Sequence, residues 1–343
     1  MAKAVFTKPE RGGTKLEKSY PQLPVKASRQ FMTGRAIGLL AATVLLFGAI
    51  SLVSRTFLSS YTMFVISRQI GFSTLIALSQ AMCLVVGGMN LSVGAIGSMT
   101  TVILGLCFQN LGLNAWLTVP IGLLFGVAAG AINGIIITKV RINSFIVTLS
   151  MMFIYMGLRS GISGGEPYTV PSDFGFMGQE AIFGVPWVFV LVVFILLAVG
   201  YMFSHTVFGR QLLATGGNEN AARLCGISTD RIVFWAHVIS GSLAALAGVL
   251  FVSMLGSATP ETGDDWLIGS FAVAIIGGTG LNGGVISVSG LFLGGAIFML
   301  IRYGLVEIRA NPYFANSFLG ALILLAIVLD RVREIVGKED RNR

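Results

Sequence analysis

Charge is what this sequence has least of. Asp, Glu, Lys and Arg together make up 11% of its 343 residues, against about 25% in soluble domains, which face water on every side. Residues 69–138 contain none of them, a run of 70 positions, and that excludes an ordinary soluble fold. The chain also lacks a G-x-x-x-x-G-K-[ST] phosphate loop, so any ATP hydrolysis it depends on belongs to another polypeptide. Its three cysteines, Cys83, Cys107 and Cys225, form no C-x-x-C pair and no metal-ligand spacing, and they read as packing residues. No A-x-A cleavage site follows the first apolar run, which therefore reads as a retained helix and not as a secretion signal. No metal site and no cofactor is expected.

What the sequence has in quantity is apolar surface. Hydrophobic residues make up 55% of it and its mean hydropathy is +0.84, both pointing to lipid as the surrounding medium. Besides 69–138, charge-free runs cover 36–54, 142–158, 181–204, 232–260, 266–301 and 310–329. A helix needs about 20 apolar residues to cross a hydrocarbon core of about 30 Å. Lipid leaves backbone N–H and C=O groups no partner outside the segment itself, so these runs are expected to be helices. The short alternating segments of a membrane barrel are missing. The expected fold is all-α, a polytopic bundle of about ten spans at 36–54, 62–86, 93–109, 116–138, 143–161, 184–204, 232–254, 266–282, 284–307 and 313–331. Its 44 glycines suit close helix contacts in lipid.

The distribution of basic residues orients the bundle. The tail up to Arg35 carries eight Lys or Arg against two Glu, and five Lys or Arg follow Asp330. Both tails are therefore expected in the cytoplasm, which requires an even number of spans. Lys139, Arg141, Arg210, Arg223 and Arg231 fall on the same inner side. The outer segments 162–183 and 255–265 carry acids and no Lys or Arg. The net charge of +8 thus suits an anionic inner leaflet and implies no nucleic acid. The expected organisation is an N-terminal cytoplasmic tail over 1–35, a transmembrane domain over 36–331 with a cytoplasmic loop at 205–231, and a C-terminal cytoplasmic tail over 332–343.

Two stretches echo each other. Residues 87–94 read G-G-M-N-L-S-V-G and residues 277–284 read G-G-T-G-L-N-G-G, sharing the frame G-G-x-x-L-x-x-G. Gly-Gly permits backbone turns that other residues resist, and paired glycine-broken segments in two halves point to a transporter's functional centre. Two pseudo-repeated halves with glycine-interrupted helices are expected. The inner loop 209–230 reads GRQLLATGGNENAARLCGISTD. Within it Asn218 suits a helix N-cap, with Glu219 at the positive end. Ala221, Ala222, Arg223 and Leu224 favour helix, and Gly226 suits its end. On physical grounds this is either a solvated connector or a short helix presented to a soluble partner.

This loop resembles the A-x-G-G-N-x-x-A-A-x-x-x-G-I pattern of the ribose/galactose/xylose-type permease family of ATP-binding-cassette importers. The match runs through Ala214, Gly216, Gly217, Asn218, Ala221, Ala222, Gly226 and Ile227. Residues 87–94 are similar to that family's G-G-I-D-L-S-V-G, residues 142–149 to its P-x-F-I-V-T-L, and residues 276–284 to its G-G-T-x-L-x-G-G. The four motifs come in the family's order, and the resemblance spans about 36–331. It implies a bacterial inner-membrane permease that takes a monosaccharide or similar small polar solute inward, with a second permease subunit, identical or related, completing the pathway. It also implies a cytoplasmic ATPase holding the loop at Gly216, Gly217, Asn218, Ala221, Ala222 and Gly226, and a periplasmic or secreted solute-binding protein. Two departures stand out: Asn90 occupies the usual Asp position, and Asn143 replaces the family's Pro. The first removes a charge and keeps hydrogen-bonding capacity.

Other polar residues have two readings. Gln80, Asn90, Ser92, Asn133, Asn143 and Thr148 either line a solute path or bond helix to helix. Of these, Asn90, Ser92, Asn143 and Thr148 are the candidates for the translocation path. Arg68, Arg159, Arg302 and Glu307 are expected to snorkel at outer helix ends, and His237 to be structural. Tyr155 and Trp266 suit either sugar stacking or interfacial anchoring. An ion-gradient-driven secondary transporter is the rival reading, but no Asp or Glu lies between Glu17 and Glu166 to carry a proton through the membrane. An intramembrane enzyme would need a catalytic pair on facing helices, and none is found, so no catalytic residue is assigned.

Overall fold

The computed structural model describes residues 25–308 and positions 314, 317, 320, 321 and 324, with side chains from Ala36 onward. Residues 1–24, the C-terminal tail and most of the expected span 313–331 lie outside the described residues, whereas residues 25–35 of the expected N-terminal tail are helical and run into the first span. Within residues 25–308 twelve α-helices follow in order: α1 Val25–Val53, α2 Ser60–Leu84, α3 Val93–Gln109, α4 Ala115–Ile135, α5 Ser144–Ser163, α6 Phe176–Gln179, α7 Trp187–His205, α8 Val207–Gly217, α9 Glu219–Leu224, α10 Thr229–Leu255, α11 Trp266–Ile276 and α12 Val288–Glu307. A π-helical turn, Ile136–Val140, extends α4. Four two-residue strands form two antiparallel pairs, β1 Tyr168–Thr169 with β4 Ser257–Ala258 and β2 Ala181–Ile182 with β3 Val185–Pro186.

Seven of these helices are long and apolar enough to cross a membrane, while α3 and α11 are shorter. At 1.5 Å per residue, the 11 residues of α11 reach about half the hydrocarbon thickness. The apolar run expected to span 266–282 leaves helix at Ile276 because Gly277 and Gly278 follow, with Gly278 at φ +91°. Helix does not resume until Val288, four residues past the expected start. The first glycine stretch acts alike: α2 stops at Leu84, Gly87 takes φ +77°, and α3 begins at Val93.

Helix starts are capped as lipid and its interface demand, because first-turn N–H groups have no partner within the helix. Ser59 accepts from Thr62 N at 3.2 Å, Asn114 from Leu117 N at 3.1 Å, and Ser287 from Gly290 N at 3.1 Å.

Of the seven long spans, α2 and α10 are the most buried, and they pack on each other. Their other contacts are reciprocal, α10 lying against α3 and α4, α2 against α11 and α12. Phe72 of α2, Phe251 of α10 and Trp266 of α11 meet edge to face, with centroids 5.6 and 5.8 Å apart. Along α4, Gly126, Gly130 and Gly134 face Gly241, His237 and Phe234 of α10. A Cβ at Gly126 or Gly130 would run into the α10 backbone, and one at Gly134 would press on Phe234, so the two helices approach closely along this seam. Peripheral α1 rests on α12.

Candidate functional site

Where the chain turns between α2 and α3, a polar knot joins four helices inside an apolar bundle. Asn90, fully buried, donates from Nδ2 to Ser240 Oγ of α10 at 2.9 Å. Its Oδ1 accepts from Ser92 N at 3.0 Å and from Ser92 Oγ at 2.7 Å. Asn133 of α4 donates to Ser92 Oγ at 2.9 Å, and Ser79 of α2 donates to the Ser240 carbonyl at 2.8 Å. From α5, Ser144 Oγ accepts from Met89 N and Thr148 Oγ1 from Leu91 N, both at 3.1 Å. The backbone freed by the glycine turn is thus satisfied by side chains, as burial requires.

Three of the four candidate path residues, Asn90, Ser92 and Thr148, meet in this knot. Asn143 stands apart, exposed at the start of α5, where its side chain caps Phe145 N at 2.8 Å. Ser79, Ser144 and Ser240 were invisible in the sequence, because a serine in an apolar helix reads the same on every face. Gln80 is also fully buried, and neither of its amide atoms has a hydrogen-bond partner among the described residues. His237 is buried, with Nδ1 3.0 Å from the Val233 carbonyl, which can only accept, and its Nε2 has no hydrogen-bond partner among the described residues.

On the face that carries the loop, α8 and α9 form a helix–cap–helix unit. Asn218 ends α8 and caps α9, accepting from Ala221 N at 3.0 Å. Gly226 closes the unit at φ +82°, a conformation only glycine adopts without strain. Arg223 fixes it to the start of α10, reaching Glu219 and Asp230 at 2.8 Å each and Thr229 Oγ1 at 2.7 Å. Ala221 and Leu224 point outward, Leu224 with 90% exposure, whereas Ala222 is buried at 4%. Gly217 is exposed and Gly216 half-buried.

At the opposite end, Arg159 departs from the snorkelling expectation. It is buried at 6% exposure, donates to the Pro260 carbonyl at 2.6 Å, and pairs with Asp264 at 2.7 Å. Asp264 sits 105 residues away in sequence, so residue spacing gave no hint of the pair. Arg302 approaches Asp265 at 3.4 Å, and Arg68 donates to the Gly178 carbonyl at 3.2 Å. A cavity of about 660 Å³ opens among α2, α10, α11 and α12, with Gln69, Ser73, Ser270, Trp266, Phe72 and Arg302 on its walls.

Seven long apolar helices, with polar groups gathered at a glycine turn, place the chain among multi-pass membrane proteins. Residues 62–327 match the branched-chain amino acid transport system / permease component family, and the chain belongs to this family of importer permeases. It is 31% identical over 300 residues to the ribose import permease protein RbsC of Escherichia coli (strain K12), covering 86% of this chain and 93% of that protein. The autoinducer 2 import system permease protein LsrC of Photorhabdus luminescens is 30% identical over 312 residues, 90% of this chain and 94% of its own length. RbsC of Bacillus subtilis (strain 168) is 30% identical over 285 residues, 82% and 88% of the two chains. The chain is accordingly a permease component of an ATP-binding-cassette importer and not an enzyme, with ATP hydrolysis on a separate subunit.

Proposed function

We propose that this chain carries a monosaccharide or a similar small polar solute into the cytoplasm, in partnership with a cytoplasmic ATPase, a second permease subunit and a soluble binding protein. Relatives named for ribose and autoinducer 2 import support the solute class. The proposed arrangement has ten spans in two pseudo-repeated halves, with both termini in the cytoplasm. The reciprocal packing of α2 and α10 supports the repeat. The basic residues at the α8–α10 end support the orientation.

The observation that carries this reading is the α8–α9 unit. Six residues are too few to hold a helix alone, yet α9 is held by the Asn218 cap, the Arg223 fork and Gly226. A rigid helix with Ala221 and Leu224 turned outward is a handle for a soluble partner. We assign the ATPase grip to Gly216, Gly217, Asn218, Ala221, Ala222 and Gly226 acting together: the outward residues touch the partner and the inward ones brace them. Asn90, Ser92 and Thr148 lie beside the translocation path, and Asn143 lies at its inner mouth. The cavity edged by Trp266, Gln69 and Ser73 offers aromatic faces and polar edges suited to a hydroxylated solute.

Reconstitution in vesicles tests the reading. Uptake of ribose or a related sugar should require ATP, the co-purified ATPase and the binding protein. Uptake by the chain alone, driven by a proton or sodium gradient, would overturn it.

A further inference from the structure

The two glycine stretches and the ATPase-facing loop meet at one point. Gly284 N donates to the Val85 carbonyl at 2.9 Å, joining the turn after α11 to the end of α2. The last turn of α8 lies across this bond. A Cβ on Gly216 would collide with the Val85 carbonyl oxygen and lie 2.6 Å from Gly284 N. A Cβ on Gly283 would lie 2.7 Å from both Gly216 O and Gly87 N, and one on Gly284 would lie 2.7 Å from the Gly217 Cα. Three main chains, distant in sequence, touch with no side chain between them.

The glycines differ in what they supply. Gly87, Gly283 and Gly284 have φ values of +77°, +82° and +75°, so their conformation calls for glycine. Gly216 sits in ordinary α-helix, where glycine costs about 1 kcal/mol relative to alanine. Space alone explains it. At the neighbouring Gly217 a Cβ would meet nothing within 4 Å.

We propose that Gly216 is a positioning residue for transport, linking the ATPase-held α8–α9 unit by direct main-chain contact to both glycine turns. The assignment rests on the proposed ATPase-driven function. When the ATPase shifts α9, α8 moves with it as a short rod. Side chains at a junction would absorb the first ångström by changing rotamer; bare main chain absorbs none and passes the shift to Val85 and Gly284 together. The end of α2 and the lead into α12 are therefore displaced in the same stroke. Since α2 carries Ser79 of the polar knot and the first turn carries Asn90, the stroke reaches the knot directly.

The test uses the assembled importer with its ATPase. In Gly216→Ala, solute taken up per ATP hydrolysed by the bound ATPase should fall at least about tenfold, in the usual range of coupling effects. Gly48→Ala, the same change in peripheral α1 where a Cβ meets nothing, should leave that ratio unaltered. Full uptake per ATP in Gly216→Ala would overturn the proposal while leaving the ATPase-driven reading intact. Failure of any ATPase to bind the unmodified chain would overturn both.

Should Gly216→Ala fail to fold, spin labels on the otherwise unaltered junction give the answer. With Cys225 replaced by Ser, labels at Arg210→Cys and Leu281→Cys should keep their separation across nucleotide states within about 2 Å. Either label should meanwhile move relative to one at Phe194→Cys. A change in the 210–281 separation of about 5 Å, a full helical turn, would show that the contact slips and carries no stroke.

Discussion

Asn90 illustrates how a single buried amide holds several helices. Its one donor bond and two accepted bonds leave Ser92 and Ser240 satisfied in surroundings without water. Asn90→Leu should lower stability by about 2 kcal/mol, because the Ser92 N–H is orphaned at about 1–3 kcal/mol, while the Ser92 and Ser240 hydroxyls keep Asn133 and Ser79. Asn90→Asp should cost less. The Ser240 hydroxyl can turn to donate, giving the carboxylate three donors against the cost of burying its charge. Thermal unfolding in detergent should therefore rank the wild type first, Asp next and Leu last, and an equal loss in both variants would contradict the bonding scheme. Asn90 and Ser92 were legible in the sequence because a glycine-flanked polar pair inside a long apolar run has few other uses. Ser240, which completes the knot, was not, since it lies 150 residues away and has no pattern of its own. Arg159 was misjudged for the same reason: a cation near a helix end reads as solvent-seeking until its distant carboxylate is seen.

At the level of elements, α9 separates two residues that the sequence treats alike. Ala221 and Ala222 are neighbouring helix formers, yet one faces out and the other is 4% exposed. Ala221→Asp should fold normally and reduce the amount of ATPase that co-purifies. Ala222→Asp should instead lose about 3 kcal/mol or more, because a charge enters a packed site, and it should show as a lowered unfolding midpoint before any loss of binding. Equal unfolding midpoints would show that Ala222 is not packed against the bundle. Hydrophobic runs located nine of the ten expected segments as helices within the described residues. They mislaid the end of α11 because glycine is apolar enough to extend a run while ending a helix. The two-residue strand pairs, such as Tyr168 with Ala258, left no periodicity to read.

For the whole molecule, cysteine placement offers a direct test of the proposed orientation. Cys83 and Cys107 are buried and Cys225 is exposed beside α9. A membrane-impermeant maleimide should therefore label the unmodified chain at one site, from the cytoplasmic side, with the ATPase stripped away. Glu166→Cys, in the segment between α5 and α7, should add a site labelled from the opposite side. Labelling of both from one side would invert or dismantle the arrangement. The echo between residues 87–94 and 277–284 is an informative signal at this scale, since Gly283 packs on Gly87 and Gly284 bonds to Val85, just before the first stretch. No spacing rule could have shown that Gly216 comes to rest between them.

The close approach of α4 and α10 has a mechanical consequence. With Gly126, Gly130 and Gly134 set close against α10 over successive turns, few side chains stand between the two helices to change rotamer. The pair is therefore expected to travel through a transport cycle as one body. Whatever opens must hinge along its flanks, where longer side chains leave room to slide.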